Sequence, residues 1–550
     1  MPCPSWATGF PPEHLLRSMA VFRVLIADPL HPRGLEFLRS QPDVEVVLRD
    51  RDALPETFAR LLRDAHALLV RSETKVTAAV LQQAPNLVVV GRAGVGVDNI
   101  DVEEATRRGI AVVNAPTGNI IAAAEHAIAL LLAVARRIPQ AHASLQRGEW
   151  KRNQFIGSQV RDKTLGIIGL GRVGTQVAQR AKGLQMRLIA YDPFVSADFA
   201  QRLGVTLVPL ERLLQEADFV TVHAPLTPAT RHLLGPAQLA KMKPGAYLIN
   251  VARGDLVDEA ALLQALNEGR LAGAALDVFS SEPPPADHPL LRHPRVVVTP
   301  HLGASTEEAQ AEVALEAAEQ VLAVLRGQPS AYTINAPMVV PEAQKVLAPY
   351  LPVATLLGRI AIQLLDGQLE RVLLRYQGEI ARHDTTILKA AALVGLLQPT
   401  TDQRVNLVNA LSVAARRGLV VAEEKGPAPE HYSSLLGIEL EATGGKVSLV
   451  GTSMRGEVHI VQVKGYWLDL VPSAPYLLFI DHHDRPGLIG AVGSITGRHD
   501  INISFMEVGR FEPRGRAMMV LGLDDPMPPE VLAQVRALPH IYSARLVHTD

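Results

Sequence analysis

The sequence predicts an α/β protein built largely from parallel sheets, with smaller mixed units toward its C-terminus. Through residues 22–300, short apolar runs alternate with longer stretches of helical spacing, the pattern of βαβ units. One run leads directly into Gly169-Leu-Gly171-Arg-Val-Gly174, and a helical pattern follows this turn. Residues 476–550 carry strand, helix, strand, strand, helix and strand signals in that order.

The buried strands are read at 22–27, 67–70, 87–90, 165–168, 188–191, 219–222, 247–251 and 296–299, each a short apolar run without polar alternation. Residues 306–326 read as one charged, Ala-rich helix ended by Gly327. The texture changes at Asn335-Ala-Pro337, and a mixed α/β stretch follows to about residue 470. Its last part is strand-like at 446–450, 457–463 and 466–470. Pro472-Ser-Ala-Pro475 reads as a linker. At roughly 100–200 residues per domain, 550 residues make about three to five units. Met19 precedes the first strand and reads as the natural start, with 1–19 as an extension.

Composition excludes several classes. The 54 basic and 56 acidic residues leave a net charge of −2, which gives no general pull toward nucleic acid or anionic membrane. Apolar residues make up 48% of the chain, which argues against disorder. Cys3 is the single cysteine, so no disulfide framework or Cys-based zinc site is available. The most apolar helical run, 127–135, is flanked by Glu125, His126 and Arg136 and is too short to span a bilayer. The first 18 residues lack the apolar core of a signal peptide. The expected compartment is the cytoplasm.

In the glycine turn, the first glycine permits the tight turn, the second lets backbone approach a pyrophosphate, and the third lets helix pack on strand. The helix start then offers free N–H groups to phosphate. The next strand ends at Tyr191-Asp192-Pro193. A carboxylate there can accept bonds from both ribose hydroxyls and would repel a 2′-phosphate, which favours NAD over NADP.

Three more segments sit at strand ends. They are Asn250-Val-Ala-Arg253-Gly254-Asp-Leu-Val-Asp258-Glu259, Ala275-Leu-Asp277-Val-Phe-Ser-Ser-Glu282-Pro283 and Thr299-Pro-His301-Leu-Gly303-Ala-Ser-Thr306. Oxidising a secondary alcohol removes a hydride from carbon and a proton from oxygen. His301 can take the proton. Glu282 can hold the other ring nitrogen and favour the imidazolium. Arg253 can bind a carboxylate at two points, and Asp277 can meet a nicotinamide carboxamide. Each residue alone is an ordinary loop residue. Their joint appearance, in order, after a dinucleotide turn is the argument.

These segments together resemble the D-isomer-specific 2-hydroxyacid dehydrogenase family. The resemblance implies a Rossmann-type NAD domain, 116–300, inserted in a discontinuous flavodoxin-like substrate (lid) domain, 20–115 plus 301–330. It implies Arg253, Glu282 and His301 as the catalytic set. It implies NAD contacts at Gly169, Gly171, Arg172, Val173, Gly174, Asp192, Ala224, Ala252, Arg253, Asp277, His301 and Gly303. The family often has Thr where this chain has Val95 and Ala224, which removes one or two cofactor hydrogen bonds worth roughly 0.5–1.5 kcal/mol each.

Within the family, the lid segments Val70-Arg71-Ser72-Glu-Thr-Lys75-Val-Thr77 and Gly91-Arg92-Ala-Gly94-Val-Gly96-Val-Asp98-Asn99 are similar to those of the phosphoglycerate-oxidising members. That likeness implies substrate contacts at Arg71, Ser72, Arg92, Gly94 and Asn114, with Arg152 reaching the phosphate in a neighbouring subunit. Two arginines suit D-3-phosphoglycerate, a phosphorylated hydroxy acid. The other readings are the same chemistry on glycerate, lactate or 2-hydroxyglutarate, and a non-enzymatic NAD-sensing adaptor.

Val405-Asn-Leu-Val-Asn-Ala410 is similar to the intervening domain of the long members, here 335–470. Residues 474–550, with His482-His483-Asp484-Arg-Pro486-Gly487 and later Asn502, resemble a βαββαβ ACT domain. This implies an amino-acid effector, L-serine, at His482, Asp484 and Asn502, and assembly as a homotetramer or homodimer. Asp484 stands where some relatives have Asn. Asp481, His482, His483 and Asp484 form a strand-to-helix turn that needs no metal, and none is expected.

Overall fold

A computed structural model of the chain describes residues 21–50, 54–328, 330–337 and 341–549. The expected 1–19 extension lies outside the described residues. The α/β class read from the sequence is the class of the fold.

The first sheet is fully parallel. Its strands are β1 (Phe22–Ile26), β2 (Val44–Leu48), β3 (Ala67–Val70), β4 (Val89–Arg92) and β5 (Ala111–Asn114), in the flavodoxin-like order β2-β1-β3-β4-β5. Alternate residues serve two cores. Val24, Ile26, Leu69 and Val113 face one side, and Leu25, Leu68, Val70 and Val112 the other. The first side is covered by the helix Glu307–Leu325 through Val313, Ala314, Ala317, Ala318 and Val321, although some 190 positions separate it from β5. Thr306 caps this helix by accepting from Ala309 N–H, and Glu307 and Glu308 suit its positive end.

The second sheet holds β6 (Thr164–Ile168), β7 (Arg187–Tyr191), β8 (Thr206–Leu207), β9 (Phe219–Val222), β10 (Tyr247–Asn250), β11 (Gly273–Leu276) and β12 (Val296–Val298). Its order, β12-β11-β10-β9-β6-β7-β8, reverses direction between β6 and β9, which opens a crevice at their carboxyl ends. Separate apolar cores cover its two faces, one of them including Ala124, Ala127, Leu131 and Ala135 of the helix Ile120–Arg136.

A mixed sheet follows, with β13 (Leu369–Gly378), β14 (Val420–Gly426), β15 (Ser434–Ala442), β16 (Gly445–Met454), β17 (Glu457–Val463) and β18 (Tyr466–Leu470) in the order β14-β13-β15-β16-β17-β18. The last sheet is antiparallel: β19 (Tyr476–His483), β20 (Ile503–Arg510), β21 (Arg516–Leu523) and β22 (Ile541–His548), ordered β20-β21-β19-β22 with two helices on one face. Its other face joins the core of the preceding unit through Leu477, Phe479, Met518, Val520 and Val547. The preceding unit in turn docks on the first sheet. Asn406 donates to the Gly109 carbonyl at 2.6 Å, Gln403 to that of Arg107 at 3.2 Å and Arg404 to that of Leu87 at 3.3 Å.

The sequence reading starts its third strand at residue 87. In the structure β4 begins at Val89, because the Leu87 N–H closes a turn onto Ala84 and its carbonyl takes Arg404. Strands β2, β5, β8, β11 and β13–β15 are absent from that reading. Among the described residues, no helix is long and apolar enough to cross a membrane.

The packing of helix Glu307–Leu325 is directly testable. A Cβ on Gly34 would lie 2.7 Å from the Ala314 carbonyl oxygen and 2.9 Å from its carbon, both backbone atoms of that helix. Gly34→Ala is expected to cost about 1–3 kcal/mol and to lower the thermal midpoint. An unchanged midpoint would mean that the helix does not rest on this edge.

Candidate active site

The crevice begins at the glycine turn. Gly169 has φ +91°, and a Cβ there would lie 2.7 Å from the His223 carbonyl oxygen, so the ends of β6 and β9 meet across it. A Cβ on Gly174 would lie 2.0 Å from the Gly169 carbonyl oxygen. By contrast, a Cβ on Gly171 would meet nothing within 4 Å. The open space therefore lies at Gly171, which caps the helix Arg172–Gly183 and leaves its first N–H groups facing outward. Val173 is half-buried and Arg172 exposed on that first turn. At the end of β7, Asp192 accepts from Leu170 N–H and Phe194 N–H, both at 2.9 Å, so its carboxylate is fixed beside the turn. Ala224, on the other bank, is half-buried. This cradle fits a dinucleotide.

His301 sits after β12 with φ +55°, a left-handed conformation that a non-glycine residue holds at some cost. Its Nδ1 lies 2.6 Å from Glu282 Oε2, and Glu282 Oε1 accepts from Phe279 N–H at 3.1 Å. Burial pushes the Glu282 carboxyl up, but the hydrogen bond and charge of His301 bring it below the ordinary value. Asp277 holds the turn from beneath. It is buried, and its Oδ1 accepts from Thr299 Oγ1 (2.6 Å) and Leu302 N–H (2.7 Å) and lies 3.1 Å from His126 Nε2. Its Oδ2 accepts from Gly303 N–H at 2.9 Å, and its own carbonyl accepts from His301 N–H at 2.8 Å. The carboxylate placed by the sequence against a carboxamide thus first serves the protein, as the support of His301. Burial raises its pKa, while the His126 and Thr299 bonds lower it further, for a net fall.

Opposite lie the arginines. Arg253 follows a turn tied by Asn250, whose side chain accepts from Ala252 N–H and donates to the Arg253 carbonyl. Its guanidinium donates to the Ala252 carbonyl and pairs with Asp98 of the first sheet's domain at 3.2 Å. Arg92, at the end of β4, has a buried Nε without a partner among the described residues. Burial, then the charges of Arg253 and Arg71, lower its pKa to about 10. Gly94 makes room for it, since a Cβ there would lie 1.2 Å from Arg92 Nη1. Arg71 is aimed by Asp28 after β1, which accepts from Arg71 N–H (2.6 Å) and from Thr74 N–H and Oγ1. Asn99 donates to the Arg71 and Thr74 carbonyls, each at 2.7 Å.

One cavity of about 1040 Å³ joins Arg71, Ser72, Arg92, Gly94, Arg253, Glu282, His301 and Gly303. It does not include Asn114, whose amide donates to the Val95 carbonyl at 2.6 Å and so supports the loop from behind. Nor does it include Arg152, which is exposed on the short helix Arg152–Phe155. His126, Asp28, Thr299, Asn250 and Asp98 escaped the sequence reading as site residues. Asp28-Pro at a strand end was a usable signal. His126, inside an apolar helix, gave none.

The remaining candidates lie in the last unit. His482 is buried at the end of β19 with an unpartnered Nε2 among the described residues. Asp484 accepts from Arg510 Nη1 and Arg514 N–H, both at 3.1 Å, and these bonds hold its carboxyl below the ordinary value. Asn502 donates to Asp524 at 2.5 Å. Among the described residues, no three His, Cys, Asp or Glu side chains gather as a metal site.

Comparison with known proteins gives three family matches. Residues 128–303 match the NAD-binding domain of D-isomer-specific 2-hydroxyacid dehydrogenases, 346–464 the D-3-phosphoglycerate dehydrogenase intervening domain, and 476–540 the ACT domain. D-3-phosphoglycerate dehydrogenase of Archaeoglobus fulgidus is 44% identical over 527 residues, 96% of this chain and 99% of that one. The enzyme of the same name from Methanocaldococcus jannaschii is 45% identical over the same shares. Among solved structures, D-lactate dehydrogenase from Aquifex aeolicus, complexed with NAD and lactic acid, matches 57% of this chain and 99% of its own, with a TM-score of 0.51 and 26% identity.

His223, beside the glycine turn, is pulled down by burial to about 4. The unfolded chain, with an imidazole near 6.5, therefore binds this proton first as pH falls. The contribution to stability is complete above pH 6.5 and is lost between about 6.5 and 4. Allowing for the ring's residual exposure, the loss at pH 5 is about 1 kcal/mol. Urea midpoints at pH 7 and pH 5 should differ less in His223→Gln than in the parent, and equal differences would contradict the assignment.

Proposed function

The chain belongs to the D-3-phosphoglycerate dehydrogenase branch of the D-isomer-specific 2-hydroxyacid dehydrogenase family, and from that premise we propose that it oxidises D-3-phosphoglycerate to 3-phosphohydroxypyruvate with NAD, the entry step of phosphorylated L-serine synthesis. The observation that carries the substrate is the meeting of Arg71, Arg92 and Arg253 in one cavity with the His301–Glu282 pair. Arg92 has a buried Nε without a partner among the described residues and a pKa depressed by burial and by its two neighbours. A substrate bearing both a carboxylate and a phosphate supplies acceptors for these guanidinium groups.

Gly169, Gly171, the helix start at Arg172 and Val173, and Asp192 would hold NAD, with Ala224, Ala252 and Gly303 along its path. Bound NAD supplies the hydride acceptor for C2 of the substrate. Arg253 binds the substrate carboxylate and polarises the adjacent C–O bond. Arg92 and Arg71 bind the phosphate, with Ser72 and Gly94 beside them. His301 Nε2 takes the hydroxyl proton as the C2–H bond breaks. Glu282, on Nδ1, fixes the tautomer and stabilises the imidazolium that forms. Asp277 and Thr299 keep the ring in place.

Two further parts of the reading concern assembly and control. Ile138, Leu145, Trp150 and Ile156 are large, apolar and exposed, which supports a homodimer or homotetramer in which Arg152 would reach a second subunit's substrate. His482 Nε2, which has no partner among the described residues, supports a small polar effector, L-serine, with Asp484 and Asn502 as the further contacts. The protein is expected to work in the cytoplasm.

The decisive assay is the initial rate of NADH formation from D-3-phosphoglycerate, with product trapped, across an L-serine titration. Activity that falls with serine supports catalysis and control together. Activity indifferent to serine removes the effector alone. His301→Ala should lower turnover by roughly 10² to 10⁴ while leaving the Kd for NADH nearly unchanged, and near-normal turnover would remove His301 as the base. Arg92→Leu should raise KM for phosphoglycerate about tenfold or more. An unchanged KM would point to a hydroxy acid without phosphate.

A further inference from the structure

Glu259 has an ordinary explanation that the structure does not bear out. It opens the helix Glu259–Asn267, where an acidic side chain commonly faces solvent and favours the helix dipole. That helix is already capped by Asp258, which accepts from Ala261 N–H at 3.0 Å. The Glu259 carboxylate instead turns away from its helix and is only 19% exposed. Its Oε1 accepts from Ser280 N–H at 2.8 Å, and its Oε2 lies 3.3 Å from His288 Nε2.

Those two contacts grip both ends of the loop that carries Glu282. The grip acts on one peptide group. A Cβ on Gly254 would lie 2.0 Å from the Phe279 carbonyl carbon and 2.3 Å from Ser280 N, so the turn after Arg253 presses on the same peptide that Glu259 holds. On the far side, Phe279 N–H donates to Glu282 Oε1, and the His288 ring stands edge-on to the Phe279 ring at 5.9 Å. The ionisable groups bordering this joint are Arg253, Asp255 (paired with Arg231), Asp258 and His288.

We propose that Glu259 is a positioning residue: by holding the Ser280 peptide against the turn after Arg253, it fixes Glu282 on His301 at a set distance from the carboxylate-binding arginine. The proposal rests on the dehydrogenase reading but not on the choice of substrate. Oxidation needs His301 Nε2 aimed at the substrate hydroxyl, and Glu282 on Nδ1 aims it. Losing that alignment slows the chemical step while leaving the binding of substrate and cofactor in place.

The test is the separate measurement of kcat and KM for Glu259→Ala, Glu259→Gln and Glu259→Asp, with NADH affinity followed by fluorescence. The assay uses whichever D-2-hydroxy acid gives the parent protein its highest rate, so failure with phosphoglycerate removes the substrate and leaves this test standing. Glu259→Ala should lose roughly 10- to 100-fold in kcat, with KM and NADH affinity nearly unchanged. Glu259→Gln keeps an acceptor for Ser280 N–H and should recover kcat to within about threefold. If the alanine variant does not fold, Glu259→Asp, which draws the carboxylate back by one methylene, carries the same expectation as alanine. A parent-like kcat, a loss carried by KM, a parallel loss of NADH affinity, or a glutamine variant as impaired as alanine would each overturn the proposal.

Discussion

The cleft is organised around a cluster of like charges. Three guanidinium groups, from β4, the loop after β3 and the loop after β10, share one cavity, and Arg92 is buried there with an Nε that has no partner among the described residues. Two like unit charges about 7 Å apart repel by roughly 2 kcal/mol at an effective dielectric of 20. The chain offers partial relief. Asp98 pairs with Arg253, and Asp28, which also helps Arg92 electrostatically, is committed to backbone at residues 71 and 74. A site lined with fixed guanidinium donors favours an anion over water, because the arginines are ordered before it arrives.

The other half of the site depends on a turn. His301 adopts a left-handed backbone that costs of order 1–3 kcal/mol unless its surroundings enforce it. Asp277 enforces it through four donors and its own carbonyl. The buried carboxylate is satisfied, so it stiffens the turn without an unpaired charge. Arg253 and His301 are thus held at the ends of β10 and β12, which flank β11 in one sheet, while Arg71 and Arg92 come from the other.

What the sequence revealed follows the same physics. Gly169 and Gly174 are legible because only glycine fits the contacts found at each, and Gly171 because it leaves open the space a phosphate would need. Arg253, Glu282 and His301 are legible because their chemistry is needed together and their segments end strands. Asn114, read from the resemblance as a substrate contact, and Asp277, read as a carboxamide contact, also carry protein contacts that the sequence did not reveal, because a buried amide or carboxylate takes the nearest donors and acceptors available. Strand β2 escaped notice because Glu45 interrupts its apolar run. The grip of Glu259 on Ser280 could not be read at all, since 21 residues separate them and only the close approach of two loops brings them together.

The position of the C-terminal units carries a mechanical consequence. Asn406, Arg404 and Gln403 bind carbonyls at residues 109, 87 and 107, and Asn335 binds the backbone of Ile110 and Val112. These contacts grip the beginnings of β4 and β5. The far ends of those two strands carry Arg92 and Asn114, the latter holding the Val95 carbonyl. The last sheet, in turn, shares its core with the unit that makes the grip, through Leu477 and Phe479, neighbours in β19 of His482. A ligand that binds equally well whatever the packing of β19 would shift nothing at Arg92. Only one that favours a particular packing of that shared core could act on the cleft, and the route would run along strands too short and too well buried to absorb the change before it reached the arginine.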